Sequence, residues 1–384
     1  MVSRRLRVAA AAIVAGLGAS FCFVAPAGAV DPANATVASS AVDWIVTQQQ
    51  PDGGFEVAGF PGFETPDAVL AIAEAAQTGA TWSTAEALAA VEALEYGGSG
   101  GPTPVDALDD WVLSAHSGAG VNAGEASKLV LLVTSPLGLD PQHFGASDTD
   151  LAAIVYPSGC ASPPDTSGLF FLETTFVAFA GDLLCGAADP TVLATVRAAQ
   201  RADGGWNYLG DPDDVPFPTD SDVDTTALAV QALVAGGAAW NDPAITAALR
   251  FLATQQSATG AFLAFGEDDP NATSVAMLAV TAAGFDPGSP CWRDTVEPAR
   301  AGSPYSDPSA WLRGEQEPDG HVASPNDGFG TNTFATSQSV QGLLRTGLPV
   351  ERASGAPTCV IPGGEVVTAP DPVDPVELVP RFTG

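Results

Sequence analysis

The sequence predicts an all-α fold, an α/α toroid of about six helical hairpins around a central cavity. Three observations carry this. A short phrase, Gln-x3-Gly-x-apolar, returns along the chain; each copy sits between two stretches of helical spacing; and strand-type alternation is nearly absent. The copies are Gln49 to Gly53 to Phe55, Gln200 to Gly204 to Trp206, Gln256 to Gly260 to Phe262, and Gln316 to Gly320 to Val322. The last three glutamines lie 56 and 60 residues apart, and the 151 residues from Gln49 to Gln200 leave room for three units, so about six units of roughly fifty residues are expected. Hairpins of this size cannot bury a face alone and must stack, and six close into a double ring.

Each element follows in order. Trp44 and Ile45, Val192 and Val196, Phe251 and Leu252, and Trp311 and Leu312 are apolar anchors about a turn before the glutamine, as an outer amphipathic helix needs. A second run follows each phrase and opens on a carboxylate or its amide: Glu64, Asp222, Asn271 and Asn332, aligned as equivalent. The helices behind these openings are rich in small residues, such as Ala227 to Val234, which suits an inner ring crowded about an axis. The two missing phrases are expected between Trp111 and Leu184, where Ala123 to Val133 and Glu173 to Leu184 read as helices.

The ends read differently. Arg4, Arg5 and Arg7, the apolar run Val8 to Val24 and Ala27-Gly28-Ala29 have the layout of a secretory signal, residues 1–29, cleaved after Ala29. The toroid then spans 30–350, and a Pro-rich acidic tail spans 351–384. A secreted or cell-envelope location makes disulfides the default for the remaining cysteines. Cys160 with Cys185 and Cys291 with Cys359 close local loops, although three pairings are open. No metal is expected: there is no Cys-x2-Cys pair, and His116, His143 and His321 are scattered.

Charge bounds the partners. There are 13 basic residues against 45 acidic ones, a net charge of −32, and Lys128 is the single lysine. Nucleic acid and anionic membrane surfaces are repelled, and direct membrane insertion is not expected. A small hydrophobic ligand and a cell-surface or transporter partner remain.

The phrase at Gln200 to Trp206, with its three weaker copies, resembles the repeats of the terpene cyclase and protein prenyltransferase superfamily. The whole-chain layout looks like the secreted bacterial proteins with prenyltransferase and squalene-oxidase repeats, distantly similar to the cobalamin carriers. This resemblance implies the toroid; it specifies function less, because cyclases, prenyltransferases, thioester domains and vitamin carriers share the architecture. One constellation has chemical potential, Asp220-Ser-Asp222-Val-Asp224-Thr225-Thr226-Ala227. Class II terpene cyclases use Asp-x-Asp-Asp-Thr-Ala, whose middle Asp protonates an alkene or epoxide. Carried over, Asp224 is the general acid and Asp222 its neighbour, while Thr225 replaces the third Asp. Against this, Asp222 and Asp224 flank a helix N-terminus, where carboxylates serve as caps. A calcium loop fails because Thr225 stands where Gly is needed. The zinc-dependent prenyltransferase and thioester chemistries have no counterpart, and the paired acids of an α/α-barrel glycosidase (Glu64, Glu173, Asp222) stay open.

The main expectation is therefore a non-catalytic carrier, with a hydrophobic or corrinoid ligand held in the cavity or at an acidic rim of Glu64, Asp222, Asn271 and Asn332, with Trp206 near it. The alternative is a class II terpene cyclase-like enzyme using Asp224.

Overall fold

The structure is a computed structural model, which describes residues 30–345 except 80, 213–219, 327 and 329, together with the backbone of 359–360 and 366–367. Six inner segments form the core: Thr65–Ala75, Ala123–Leu129 continuing through a π-helical turn Val130–Thr134 into Ser135–Leu137, Phe171–Cys185, Val223–Ala235, Pro270–Ala282 and Thr333–Leu344. Each packs against the next, and the last packs back on the first, which closes the ring. Outside them run Pro32–Thr47, Thr84–Glu92 with Pro104–Gly118, Leu151–Val155, Pro190–Ala198, Pro243–Gln255, and Cys291–Val296 with Pro308–Gly314. The all-α toroid predicted from the repeats is the observed architecture. The strands among the described residues are one short hairpin, Phe262–Ala264 with Glu267–Asp269, and a pair at Cys359–Val360 and Val366–Val367.

The inner helices are buried nearly all round, and small residues make this possible. Ala227, Ala229, Ala272, Ala276 and Ala279 have no exposed surface, so backbones crowd about the axis without large side chains intervening. The outer helices are amphipathic and start on strong signals. Asp31, Asp189, Asp242 and Asp307 cap helices whose first residue is Pro32, Pro190, Pro243 or Pro308. The carboxylate accepts an orphan N–H, and proline occupies a position that needs no donor.

The repeated phrase has a mechanical meaning. The Gln49 amide Nε2 donates to the carbonyls of Gly53 and Leu94, Gln200 to Gly204 and Ala244, Gln256 to Gly260 and Ser306, and Gln316 to Gly320 and Val37. Each glutamine thus pins its own turn and clips the next outer segment. Gln316 reaches Val37, so the last hairpin is riveted to the first. The turn glycines have φ between +95° and +106°, a conformation open to glycine. The residue after the turn is also fixed: Phe55, Trp206, Phe262 and Val322 each donate a backbone N–H to a threonine of the following inner helix, Thr65, Thr226, Thr273 and Thr336.

Cys160 and Cys185 form a disulfide across 25 residues. Closing a loop of that size removes unfolded-state entropy worth about 3 kcal/mol. Cys160→Ser should therefore lower the melting temperature by several degrees, and reductant should shift the wild type toward the variant; equal melting of the two under oxidising conditions would refute this. Cys291 is disulfide-bonded as well, while the side chain of Cys359, its expected partner, lies outside the described residues. The expected signal at 1–29 also lies outside them, as does the expected tail at 351–384 apart from the two short strands. No helix among the described residues is long and apolar enough to cross a membrane.

Candidate active site

A cavity of about 490 Å³ runs down the axis and is lined from all six inner segments. The threonine hydrogen bonds supply a common register, because Thr65, Thr226, Thr273 and Thr336 occupy one structural position. Two residues before it, facing the cavity, stand Phe63, Asp224, Asn271 and Phe334, with Gly124 and Leu172 completing the level. Four residues further along lie Asp67, Lys128, Phe176, Leu228, Val275 and Gln338; three beyond those lie Leu131, Phe179, Gln231, Leu278 and Gln341. Steps of four and three keep one helix face toward the axis. The cavity is thus built in three levels from the N-terminal ends of the inner helices downward.

This register corrects the alignment of the polar openings. Asp222, Asp269 and Asn332 are the equivalent caps, accepting from the N–H groups of Thr225, Ala272 and Phe334 at 2.7, 2.9 and 2.8 Å. Asn271 stands two residues further on and is the counterpart of Asp224 instead. Glu64 falls three residues after the cap position. All four openings lie at one end of the ring, but of the predicted rim only Asn271 lines the cavity, together with Asp224. Glu64 is fully buried, with oxygens accepting from Ala58 N (2.6 Å) and from the N and Oγ1 of Thr333 (2.6 and 2.9 Å), so it ties two inner helices together. Burial raises its pKa against the pull of those bonds. Trp206 shares a backbone bridge with Asp222, yet its ring is fully buried and its indole N–H donates to Val196 O at 2.7 Å, so it belongs to the packing between helices. Glu173 does line the cavity, with both oxygens engaged by Asn122 Nδ2 and Phe170 N at 2.7 Å. The trio Glu64, Glu173 and Asp222 is not gathered on the cavity.

Asp224 is different in kind. It lies at the second helical position, past the cap, and its Oδ1 is shut off from solvent without a hydrogen-bond partner among the described residues. Burial, then the charges of Asp222 and Asp269, push its pKa up to about 8. Its carboxyl is therefore mostly protonated at neutral pH. Asp222 is raised too, chiefly by burial. The opposite wall is aromatic and cationic: Phe63 and Phe334 stack at 4.3 Å between centroids, and Lys128 Nζ sits 5.7 and 6.0 Å from their centroids. Lys128 is held by Asp67 Oδ2 at 2.9 Å and by the carbonyl of Phe63 at 2.8 Å. Sequence reasoning missed Lys128 and Gln231, although the four-and-three spacing from Asp224 reaches Gln231 directly.

Phe170, Tyr208 and Leu209 are exposed on segments that lead into inner helices, and Phe265 is 96% exposed at the tip of the Phe262–Asp269 hairpin. No group of three His, Cys, Asp or Glu among the described residues is placed to hold a metal.

No family model matches the sequence, and no curated protein does. Solved structures do. The type II terpene cyclase MstE from Scytonema, in its apo form, superposes with a TM-score of 0.51 at 15% identity, over 82% of this chain and 97% of that one. A variant of MstE in complex with geranylgeranyl dihydroxybenzoate, its substrate, gives 0.50 at 16% identity over the same shares. A protein from Actinoplanes gives 0.47 at 21% identity, over 82% of this chain and 99% of that one. The chain has a terpene cyclase-like fold.

Proposed function

We propose that the protein is a class II terpene cyclase-like enzyme in which Asp224 protonates an alkene of a prenylated substrate. The observation that carries this reading is the Asp224 carboxyl on the wall of an apolar axial cavity, its Oδ1 shut off from solvent and without a hydrogen-bond partner among the described residues. Protonating an alkene needs an acid whose proton is not already committed and a site that keeps water from the resulting cation. Asp224 meets the first need, and the walls of Phe63, Phe176, Phe179 and Leu228 meet the second. The O–H bond of Asp224 breaks as a C–H bond forms at one alkene carbon. The cation left at the other carbon is attacked by the next alkene of the folded chain, and loss of a proton from the final cation restores the acid. Nothing is oxidised or reduced, so product and substrate have equal mass. The cavity volume falls within the range of about 300–1,000 Å³ usual for small-molecule sites. MstE binds a prenylated substrate in the same fold, which supports the class of ligand.

A carrier without chemistry is the second reading, favoured by Thr225 standing where the family motif has its third carboxylate. A corrinoid is larger than this cavity and would lie across the entrance. The chain is also read as secreted, on the Arg-led apolar run and the Cys160–Cys185 bond.

Incubation with geranylgeranyl dihydroxybenzoate, followed by mass-resolved chromatography, separates the readings. The cyclase reading expects a product of unchanged mass and shorter retention. Ligand recovered intact from the protein after long incubation would leave the carrier.

A further inference from the structure

The deepest level of the cavity carries a group that the protonation step does not use. Gln231 is 1% exposed, lines the cavity between Phe179 and Leu278, and its Oε1 has no hydrogen-bond partner among the described residues. Its Nε2 donates to Ala227 O of its own helix at 3.3 Å. That contact fixes the amide's orientation, since exchanging the two atoms would set two carbonyl-type oxygens against each other. The outcome is a buried acceptor without a donor in a stretch of helix, residues 227–235, otherwise made of Ala, Val and Leu. A leucine or methionine of similar volume would remove the cost of that orphan. The other glutamine at this level, Gln341, donates to Asp67 O and Oδ1 at 3.2 and 3.3 Å, so its amide is committed to the protein. Gln231 is the one whose acceptor is left over.

Seven residues separate Asp224 from Gln231 on one helix, which places them on the same face about 10.5 Å apart along its axis. We infer that the ligand is a neutral prenyl alcohol or phenol whose hydroxyl donates to Gln231 Oε1 at the cavity floor while an alkene lies beside Asp224. This rests on the cyclase-like reading for the alkene and deepens it by fixing the far end of the substrate. A diphosphate in place of the hydroxyl does not fit: it brings no donor for Oε1, and the one lysine of the chain is already paired with Asp67. A plain hydrocarbon leaves the orphan unsatisfied.

Farnesol and farnesyl methyl ether differ in that one donor and serve as probes. Calorimetric titration of the wild type and of Asp224→Asn should show farnesol bound about tenfold tighter than the ether in both, one hydrogen bond being worth roughly that ratio. Gln231→Leu and Gln231→Met should bind the ether as the wild type does and lose the preference. Equal affinities in the wild type, a preference that survives in both Gln231 variants, or binding of neither probe would overturn the assignment. Because Asp224→Asn cannot transfer a proton, its binding preference is read apart from catalysis: a protein that prefers farnesol but converts no substrate keeps the floor site and loses only the cyclase reading.

Discussion

Replacing Asp224 by Asn is expected to cut cyclisation by about 10³-fold or more, as loss of a general acid does, while making the protein harder to melt at alkaline pH. The two effects come from one cause. The folded-state pKa of Asp224 is pushed up to about 8, against about 3.9 for an unfolded aspartate. The folded state therefore holds this proton more tightly than the unfolded chain does. Between about pH 4 and pH 8 stability falls as pH rises, because folding must keep a proton that the unfolded chain gives up, or bury a charge. Asn cannot ionise, so its variant is spared that loss. The melting temperatures of variant and wild type should agree near pH 4 and diverge in the variant's favour by about 10 °C at pH 9, at about 2 °C per kcal/mol for a domain of this size. The long-range repulsion of a chain of net charge −32 is nearly common to both and cancels in the comparison. In the wild type, turnover should decline above about pH 8 as the acid is lost. A variant that melts lower at every pH would make Asp224 a helix cap and defeat the assignment. Asp222→Ala supplies the contrast, since losing a true cap costs about 1 kcal/mol and lowers the melting temperature.

The ring was legible in the sequence because its fastenings are local. Gln, Gly and the apolar plug lie within seven residues, and their spacing survives wherever the turn survives. The register of the inner helices was less legible, because it is set by a threonine that meets the phrase only after a loop of variable length. Asp269-Pro270 carried the usable signal, an acid cap followed by proline at the first helical position, as at Asp31-Pro32 and Asp242-Pro243. Aligning on Asn271 instead shifted one opening by two residues and hid the equivalence of Asn271 with Asp224. In the Ala123 and Phe171 units the Gln phrase is missing and the N–H groups are capped by Asn122 with Glu125 and by Glu173. Neither Lys128, though it is the single lysine, nor Gln231 belongs to a motif. Their meaning comes from facing an axis on which six helices converge, and no local pattern reports that convergence.

Gly320→Ala is expected to be among the most destabilising single-methyl changes in the protein, and it tests whether the seam between the last and first hairpins holds the ring. Gly320 has φ +102°, where an L-residue is strained by about 1–2 kcal/mol. Strain alone is not the argument, because Gly59 has φ +80° and open space around the position of an added Cβ. At Gly320 that Cβ would run into the backbone carbonyl of Ser40, in the first outer helix. Backbone cannot swing aside as a side chain can, so the hairpins must part. Parting them stretches the Gln316 bond to Val37 O at 2.9 Å and the Asn34 Nδ2 bond to Leu343 O at 3.0 Å, which cross the seam. The combined cost is about 3 kcal/mol or more, from overpacking added to backbone strain. Gly59→Ala should cost only the strain. Melting curves of the two variants measured side by side decide the matter: Gly320→Ala should melt several degrees below Gly59→Ala. Since Phe63 and Phe334 stack across this same seam, the variant should also bind farnesol more weakly at temperatures where it is still folded. Equal melting of the two variants would mean that the seam yields without cost and that ring closure is not what stabilises the cavity.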